Sequence, residues 1–250
     1  LQALGRVHDR AQAVAALEEA AQVFETFNLD LMYALPGQTL AGLQEDLRMA
    51  LSFEPPHLSV YHLTIEPNTV FAKYPPALPD DDLAFEMLDT LTEETSRAGL
   101  ARYEVSAYAR PGHRCQHNLN YWQFGDYLGI GAGAHSKLSF AHRIVRQVRY
   151  REPRLYMSQA QRREPVAQHQ EVSRRDLPFE FMLNALRLPE GFLFSQFVER
   201  TGLPLSVLEP GLNKALESGL IERDLQGVRP SARGMDFLSD LQALFLADPV

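Results

Sequence analysis

The sequence has little cysteine, little tryptophan and no long apolar run. Its 250 residues include one cysteine, Cys115, and one tryptophan, Trp122. A single cysteine excludes an internal disulfide framework and is typical of a reducing compartment. No apolar stretch reaches the roughly 20 residues that a membrane-spanning helix needs, and no secretory signal peptide opens the chain. We therefore predict a cytoplasmic location.

An excess of positive charge is also lacking. The formal net charge is −8, which argues against general binding to nucleic acid or to a membrane surface. Residues 80–94 are acidic. Arginines crowd a later region, at Arg143, Arg146, Arg149, Arg151, Arg154, Arg162, Arg163, Arg174 and Arg175. Such charge runs are usually solvated faces, but a planar guanidinium is also well suited to bind an anionic ligand.

The composition is that of an ordinary globular protein, with 45% hydrophobic and 22% charged residues. Its length allows one large domain or two smaller ones. The chain opens at Leu1, without a methionine and inside sequence that is typical of a helix. We expect it to be a fragment or a trimmed form of a longer protein.

The first 110 residues predict alternating helices and strands. Apolar spacing, N-cap residues and proline breaks define the elements. The predicted helices cover residues 9–25, 39–53 and 80–98, and the predicted strands cover residues 28–33, 57–63 and 103–108. Alternation of this kind predicts parallel βα units.

After residue 176 the pattern changes to three helices, a short β-wing and a last helix. Gln226-Gly227 marks the turn of the wing, and Ser231 is a good N-cap for the last helix. This order predicts a winged-helix-like domain. Its third helix carries only Lys214 as a base, and phosphate contacts need several cations, so DNA binding is disfavoured.

One segment, residues 115–137, holds the most unusual residues. Gly129, Gly131 and Gly133 alternate there, although glycine is unfavourable in both helices and strands. Their spacing predicts a backbone that passes close to a flat or large ligand. A histidine, a tyrosine and a tryptophan just upstream are typical of a ligand wall. A Gly-rich barrel strand beside a packed aromatic corner is the alternative interpretation.

Five motifs occur in order along the chain. They are Asp30-Leu-Met-Tyr-Ala-Leu-Pro-Gly-Gln-Thr39, Leu58-Ser-Val-Tyr61 with Glu66-Pro-Asn-Thr69, Tyr103-Glu-Val-Ser-Ala-Tyr-Ala109, His117-Asn-Leu-Asn-Tyr-Trp122 and Tyr127-Leu-Gly-Ile-Gly-Ala-Gly-Ala-His135. Together they resemble the HemW family of haem chaperones. That family is related to oxygen-independent coproporphyrinogen III oxidase, within the radical S-adenosylmethionine superfamily. The resemblance covers nearly the whole chain.

The resemblance implies an α/β fold in two parts. The first is the C-terminal part of a radical S-adenosylmethionine partial (β/α)6 barrel, and the second is a small α+β winged-helix-like domain. The predicted bounds are 1–140 for the rear of the barrel with a Gly-rich strand, 141–175 for an Arg-rich connecting segment, and 176–250 for a HemW-type C-terminal domain.

The chain departs from the family at the iron–sulfur motif. The family holds a [4Fe–4S] cluster with a Cys-x3-Cys-x2-Cys motif, and this chain has no such motif. A four-iron cluster needs several thiolates, so we expect no cluster and no radical chemistry from this chain alone. The resemblance implies that the N-terminal, cluster-binding part is missing, and that the cluster and S-adenosylmethionine belong to the full-length family.

The resemblance also implies residues on the S-adenosylmethionine side of the site. Asp30 is one of them. A carboxylate inside a barrel is costly to bury without a partner, which favours a position near the cofactor. An aspartate that is hydrogen-bonded to nearby backbone is the alternative. The remaining candidates are Thr64, Gly131, Gly133, Ala134 and His135.

Haem is the other predicted ligand. His117 is the preferred axial ligand, because a neutral imidazole binds haem iron well. Tyr121 and Trp122 share its motif, and Cys115 is an alternative ligand two residues away. A histidine bonded to backbone beside core aromatics is the alternative interpretation of the same motif.

Three functions remain open on the sequence alone. The first is haem binding for delivery to haem proteins, the second is that of a coproporphyrinogen III oxidase or dehydrogenase, and the third is that of a degenerate, non-catalytic interaction module. The expected partners are haem and haem-receiving proteins. We also expect a homodimer and a peripheral membrane contact made through a partner. We expect no binding to nucleic acid.

Overall fold

The computed structural model describes residues 4–247, and they form two compact units. The division falls between Cys115 and Gln116, so the first unit is Leu1–Cys115 and the second is Gln116–Val250. The three predicted domains, with bounds at residues 140 and 175, stay a prediction.

The first unit is built on a four-stranded mixed sheet. Its helices and strands are α1 (Arg10–Val23), β1 (Asn28–Tyr33), α2 (Leu40–Leu51), β2 (His57–His62), α3 (Val70–Lys73), α4 (Asp81–Arg97), β3 (Ala101–Glu104) and β4 (Ala107–Ala109). The strand order is β1-β2-β4-β3. Strands β1 and β2 are parallel, as the βα pattern predicts, and β4 runs antiparallel to both of its neighbours.

Side-chain caps start the three longer helices of this unit. Asp9 accepts from the backbone amide of Gln12 at 2.9 Å, in a complete capping box at the start of α1. Thr39 caps α2 and Asp80 caps α4 in the same way. The predicted helix bounds are therefore confirmed to within about two residues.

The prediction of one strand over residues 103–108 is wrong. The chain turns at Val105 and Ser106, and β3 and β4 pair as an antiparallel hairpin. Glu104 stabilises this turn, because its carboxylate accepts from the backbone amide of Ser106 at 2.9 Å. The turn contains no glycine, asparagine or proline, which are the residues that usually mark a hairpin.

The two faces of this sheet differ in polarity. Side chains of alternate residues point to opposite faces of a strand. One face packs on α2 and α4 in an apolar core formed by Leu29, Tyr33, Ala34, Leu43, Leu47, Ala50, Leu58, Val60, Met87, Leu91, Leu100 and Tyr108. The other face carries Asn28, Asp30, His57, Ser59 and Tyr103. This second set is called the polar face below.

The second unit contains two three-stranded antiparallel sheets. Its elements are α5 (Gln116–Trp122), β5 (His135–Phe140), β6 (Arg143–Arg149), α6 (Pro153–Gln161), β7 (Val166–Glu171), α7 (Leu177–Ala185), β8 (Phe192–Leu193), α8 (Phe194–Thr201), a 3-10 turn (Leu205–Val207), α9 (Glu209–Glu217), β9 (Ile221–Arg223), β10 (Gly227–Pro230), α10 (Ala232–Asp236) and α11 (Leu238–Ala243). The sheet orders are β5-β6-β7 and β8-β10-β9.

The Gly-rich segment is not a strand, contrary to the prediction. Residues 128–134 form a loop with a turn, and regular strand β5 begins only at His135. Gly131 has φ of +109° and Gly133 has φ of +74°, whereas strands have negative φ. The Arg-rich segment, predicted only as a connection, contains β6, α6 and β7.

The C-terminal elements follow the predicted winged-helix order. Helices α7, α8 and α9 are followed by the β9–β10 hairpin, whose strands pair antiparallel around Asp224, Gln226 and Gly227. Ser231 caps α10, accepting from the backbone amide of Gly234 at 3.0 Å. Gly202 ends α8 in the left-handed conformation.

A phenylalanine-rich core stabilises the second unit. Phe181 is fully buried, and its ring lies 5.4 Å from that of Phe124, 4.9 Å from that of Phe192 and 5.1 Å from that of Phe197. All three pairs are near edge-to-face, the geometry that aromatic rings prefer. No helix of residues 4–247 is both long and apolar enough to cross a membrane.

Candidate functional site

Helix α5 carries the predicted ligand motif in an aromatic cluster. The exposed ring of His117 meets that of Tyr121 edge to face, with centroids 4.7 Å apart. Tyr121 in turn lies 4.4 Å from Tyr127 and 6.3 Å from Trp122. Burial, with Tyr127 adding to it, raises the pKa of Tyr121. These four residues are called the aromatic cluster below.

Trp122 has one polar atom without an acceptor. Its indole Nε1 is buried and makes no hydrogen bond to residues 4–247, although a buried indole N–H usually finds an acceptor. The guanidinium of Arg187 lies 4.1 Å from the centroid of the indole ring. A cation over the ring face is an attractive arrangement, and it places positive charge at this side of the cluster.

A half-buried ion pair supports the other side of the aromatic cluster. Arg146 donates to the hydroxyl of Tyr127 at 3.1 Å and pairs with the carboxylate of Glu180. Burial alone would lower the pKa of Arg146. The hydrogen bond to Glu180 and the negative charge of that residue have a larger effect together, so the pKa of the guanidinium is raised. This member of the arginine run therefore has an internal acidic partner.

The amides of the three alternating glycines already have acceptors inside the second unit. The acceptors of Gly129, Gly131 and Gly133 are, in that order, the hydroxyl of Ser136 at 2.9 Å, the hydroxyl of Tyr156 at 3.1 Å and the carbonyl of Tyr150 at 2.8 Å. A Cβ on Gly129 would lie 2.2 Å from the carbonyl oxygen of His135. Backbone geometry thus explains the glycines without a ligand.

The other residues predicted on the S-adenosylmethionine side lie at the surface or within this loop. Ala134 is half-buried, and its carbonyl accepts from the amide of Arg149 at 2.9 Å. His135 is exposed and pairs with Val148 across β5 and β6. Thr64 belongs to the first unit, is exposed, and donates to Glu66 at 3.2 Å.

Asp30 is exposed, so the expectation of a buried carboxylate is wrong. Its side chain projects from the polar face, where the amide of Asn28 donates to it at 2.6 Å. It also lines a cavity of about 1190 Å³ that α1, β1 and α2 enclose. β1 is the edge strand of its sheet, and side chains at the edge are not covered by a neighbouring strand.

Cys115 is half-buried at the end of the first unit. Its backbone amide donates to the hydroxyl of Tyr103 at 3.3 Å. Tyr103 also lies 2.8 Å from Nε2 of His57. The cysteine is therefore held by its backbone rather than by its thiol.

Lys137 is a buried cation that sequence reasoning missed. Its ammonium donates to Phe124, Asp126 and Ser139, each at 3.0 Å, and only 2% of the residue is exposed. Burial lowers the pKa of Lys137. Burial alone would raise the pKa of Asp126, but the hydrogen bonds that its carboxylate accepts from Ser139 and Lys137 outweigh burial, so the pKa of Asp126 is lowered. The buried ammonium thus faces a carboxylate that its hydrogen bonds stabilise in the charged form.

Three residues of the polar face that sequence reasoning missed, Asn28, His57 and Ser59, carried a signal in the sequence. Asn28 with Asp30, and His57 with Ser59, are polar residues at alternate positions of two apolar strands, and this period of two indicates one polar face. Lys137 carried no such signal, because lysine is almost never fully buried.

Three comparisons with known proteins bear on this site. The description "HemN C-terminal domain" matches residues 172–237. The "Heme chaperone HemW" of Escherichia coli strain K12 is 44% identical over 250 residues, which are 99% of this chain and 65% of the relative. The proteins of the same name from Haemophilus influenzae and Bacillus subtilis are 42% and 33% identical, over 99% of this chain and 64% and 66% of their own lengths.

The chain is similar to HemW haem chaperones over nearly its whole length.

Similarity to this family extends over both units, and it confirms the resemblance read from the five motifs. The chain spans slightly less than two thirds of the HemW relatives that it matches. A solved structure of coproporphyrinogen III oxidase from Escherichia coli, described as a radical SAM enzyme, has a TM-score of 0.77. It is 19% identical, over 98% of this chain and 60% of that chain. This likeness confirms the predicted fold class, although the sheets of residues 4–247 are open and do not close a barrel.

Proposed function

We propose that this chain binds haem as a HemW-type haem chaperone, with His117 as the preferred axial ligand. The observation that carries the proposal is the exposed imidazole of His117. The ring nitrogens of His117 have no hydrogen-bond partner among residues 4–247, and the ring is itself part of the aromatic cluster. The relatives named as haem chaperones make haem the ligand to test first.

The residues around His117 fit a flat ligand with carboxylate groups. Tyr121, Tyr127 and Trp122 supply apolar area beside the imidazole. The buried Nε1 of Trp122 is a donor without an acceptor, and Arg187 holds a positive charge above the indole. A haem propionate carries a charge opposite to that of the Arg187 guanidinium. When bound, haem would supply an iron atom that takes an imidazole ligand.

S-adenosylmethionine and a [4Fe–4S] cluster belong to the proposal only at the level of the family. One cysteine does not fit a four-iron cluster, which needs several thiolates. Asp30 and Thr64 in the first unit, and the remaining candidates Gly131, Gly133, Ala134 and His135 in the second, stay predicted contacts of S-adenosylmethionine.

A haem titration of the chain tests the proposal. His117→Ala should shift the Soret band and weaken binding by about tenfold or more, because losing a ligand bond of ~1.4 kcal/mol costs a factor of ten. His135→Ala, which removes another exposed imidazole of the same unit, should change less. Cys115→Ser separates the alternative thiolate ligand from the imidazole.

An unchanged spectrum and affinity in His117→Ala, with circular dichroism showing an intact fold, would exclude His117 as the ligand. A shift in Cys115→Ser instead would assign that role to the thiolate. If neither variant differs from the parent chain, haem binding through this segment is refuted.

The other expected functions and partners carry less support. The oxidase has a similar fold, but at 19% identity this carries no activity to the chain. Haem-receiving proteins, a homodimer, a membrane contact through a partner and a cytoplasmic location stay predictions.

A further inference from the structure

A series of hydrogen bonds crosses the polar face of the first unit and ends at the backbone of Cys115. The side-chain oxygen of Asn28 accepts from Ser59 at 3.0 Å and lies 2.6 Å from Nδ1 of His57. Nε2 of His57 lies 2.8 Å from the hydroxyl of Tyr103. The amide of Cys115 donates to that same hydroxyl at 3.3 Å.

The chemistry of these groups fixes the direction of each bond. The amide nitrogen of Asn28 donates to the carboxylate of Asp30, so its oxygen faces His57 and can only accept. Nδ1 of His57 is therefore the donor, and Nε2 of the neutral ring accepts from Tyr103. The Tyr103 oxygen is then the acceptor for Cys115.

The series is shielded from solvent at its centre. His57 is 5% exposed, Ser59 4% and Tyr103 3%. Burial lowers the pKa of His57, against a smaller opposite effect of Asp30. The neutral ring, from which the direction of the His57–Tyr103 bond follows, is thus the form that the site favours.

We infer that His57 and Tyr103 are positioning residues for Cys115, fixing the backbone at the residue that directly precedes helix α5. The inference rests on the proposed function in one respect, namely that Cys115 and His117 are the candidate haem ligands. Strands β2 and β3, which carry His57 and Tyr103, would then hold the residue at which the candidate ligand segment begins, although neither strand carries a candidate ligand.

The single cysteine makes a direct experiment possible. Selective labelling of the full chain with 15N-cysteine gives one amide resonance, that of Cys115, whose hydrogen exchange can be followed alone. Tyr103→Phe removes only the hydroxyl and keeps the ring under Arg114. Exchange of the Cys115 amide should become faster by about tenfold, the upper range for one net hydrogen bond.

Three further variants separate positioning from general damage. Tyr108→Phe removes another buried tyrosine hydroxyl of the same sheet, one that faces Thr92, and it should leave the resonance and its exchange unchanged. His57→Phe should act like Tyr103→Phe. His57→Gln should restore part of the protection, because a carboxamide oxygen can accept from Tyr103.

Wild-type exchange in Tyr103→Phe would overturn the inference. So would an unprotected Cys115 amide in the parent chain, a result that no failure of a variant to fold can obscure. Haem titration of the same samples tests the link to function. Faster exchange with unchanged haem binding would refute that link, whereas a parent chain that binds no haem would refute the proposed function and leave the amide result valid.

Discussion

The two units differ in where they place polar and apolar side chains. In the first unit, helices cover one face of the sheet, and the other face carries a series of hydrogen bonds from Asn28 to Cys115. In the second unit, helices and strands enclose a core centred on Phe181. The polar side chains of the first unit are thus ordered by hydrogen bonds to one another, whereas the core of the second unit is ordered by aromatic packing.

Each unit contains one natural probe. Cys115 is the only thiol of the chain and belongs to the first unit, and Trp122 is the only indole and belongs to the second. Thiol labelling and tryptophan fluorescence therefore report on different units during the same denaturation experiment.

The largest expected effect comes from truncating the two cores. Phe181→Ala should lower the free energy of unfolding reported by Trp122 by about 3–5 kcal/mol, because it leaves a cavity among three phenylalanine rings. Leu91→Ala, in the fully buried core of the first unit, should lower the value reported by Cys115 by about 2–5 kcal/mol.

Denaturant titrations with both probes measure these changes. If the units are independently stable, each substitution should affect mainly its own probe. The comparison between units breaks down if Phe181→Ala shifts the labelling of Cys115 as much as it shifts the fluorescence of Trp122.

A smaller effect is expected at the buried ammonium of the second unit. Lys137→Met keeps the length of the side chain but removes the donor for the carbonyl of Phe124. A buried carbonyl without a donor costs about 1–3 kcal/mol, which should appear as a lower midpoint in the Trp122 fluorescence curve. Lys214→Met, at an exposed position on α9, is the matched control. Equal midpoints for the two variants would mean that the bonds of Lys137 contribute nothing to stability.

Part of this fold could be predicted from the sequence. Caps at Thr39, Asp80 and Ser231 set the starts of helices, because their side chains satisfy free backbone amides. The hairpin at Val105 and Ser106 could not be predicted, because the sequence Tyr103-Glu-Val-Ser-Ala-Tyr108 runs through it without glycine, asparagine or proline.

The candidate site was harder to predict than the fold. The motif that contains His117 indicated which residues to test, but no local pattern indicated that Asp30 would be exposed or that Lys137 would be buried. Those two outcomes depend on partners distant in the sequence. Glycines at 131 and 133 have two explanations, a ligand or a positive φ, and the backbone angles support the second without testing the first.

The smallest expected effect is a pH dependence of the stability of the first unit. Among residues 4–247, only this unit contains a buried histidine, His57, at the centre of its series of polar groups. Burial lowers the pKa of His57 from its ordinary value of 6.5, with Asp30 opposing; Tyr103 and, beyond its ring, Arg114 also lie near. As the pH falls below 6.5, the unfolded chain binds a proton that the folded chain does not, so stability falls until the pKa of the folded state is reached. Thiol labelling of Cys115 should therefore show that the parent chain is more stable than His57→Gln, and that this difference in the free energy of unfolding becomes smaller as the pH falls through this window.

His62→Gln, at an exposed position on the same strand, is the control. A difference between the parent chain and His57→Gln that stays constant with pH would show that His57 has the same pKa in both states, and the electrostatic contrast between the two units would then be lost.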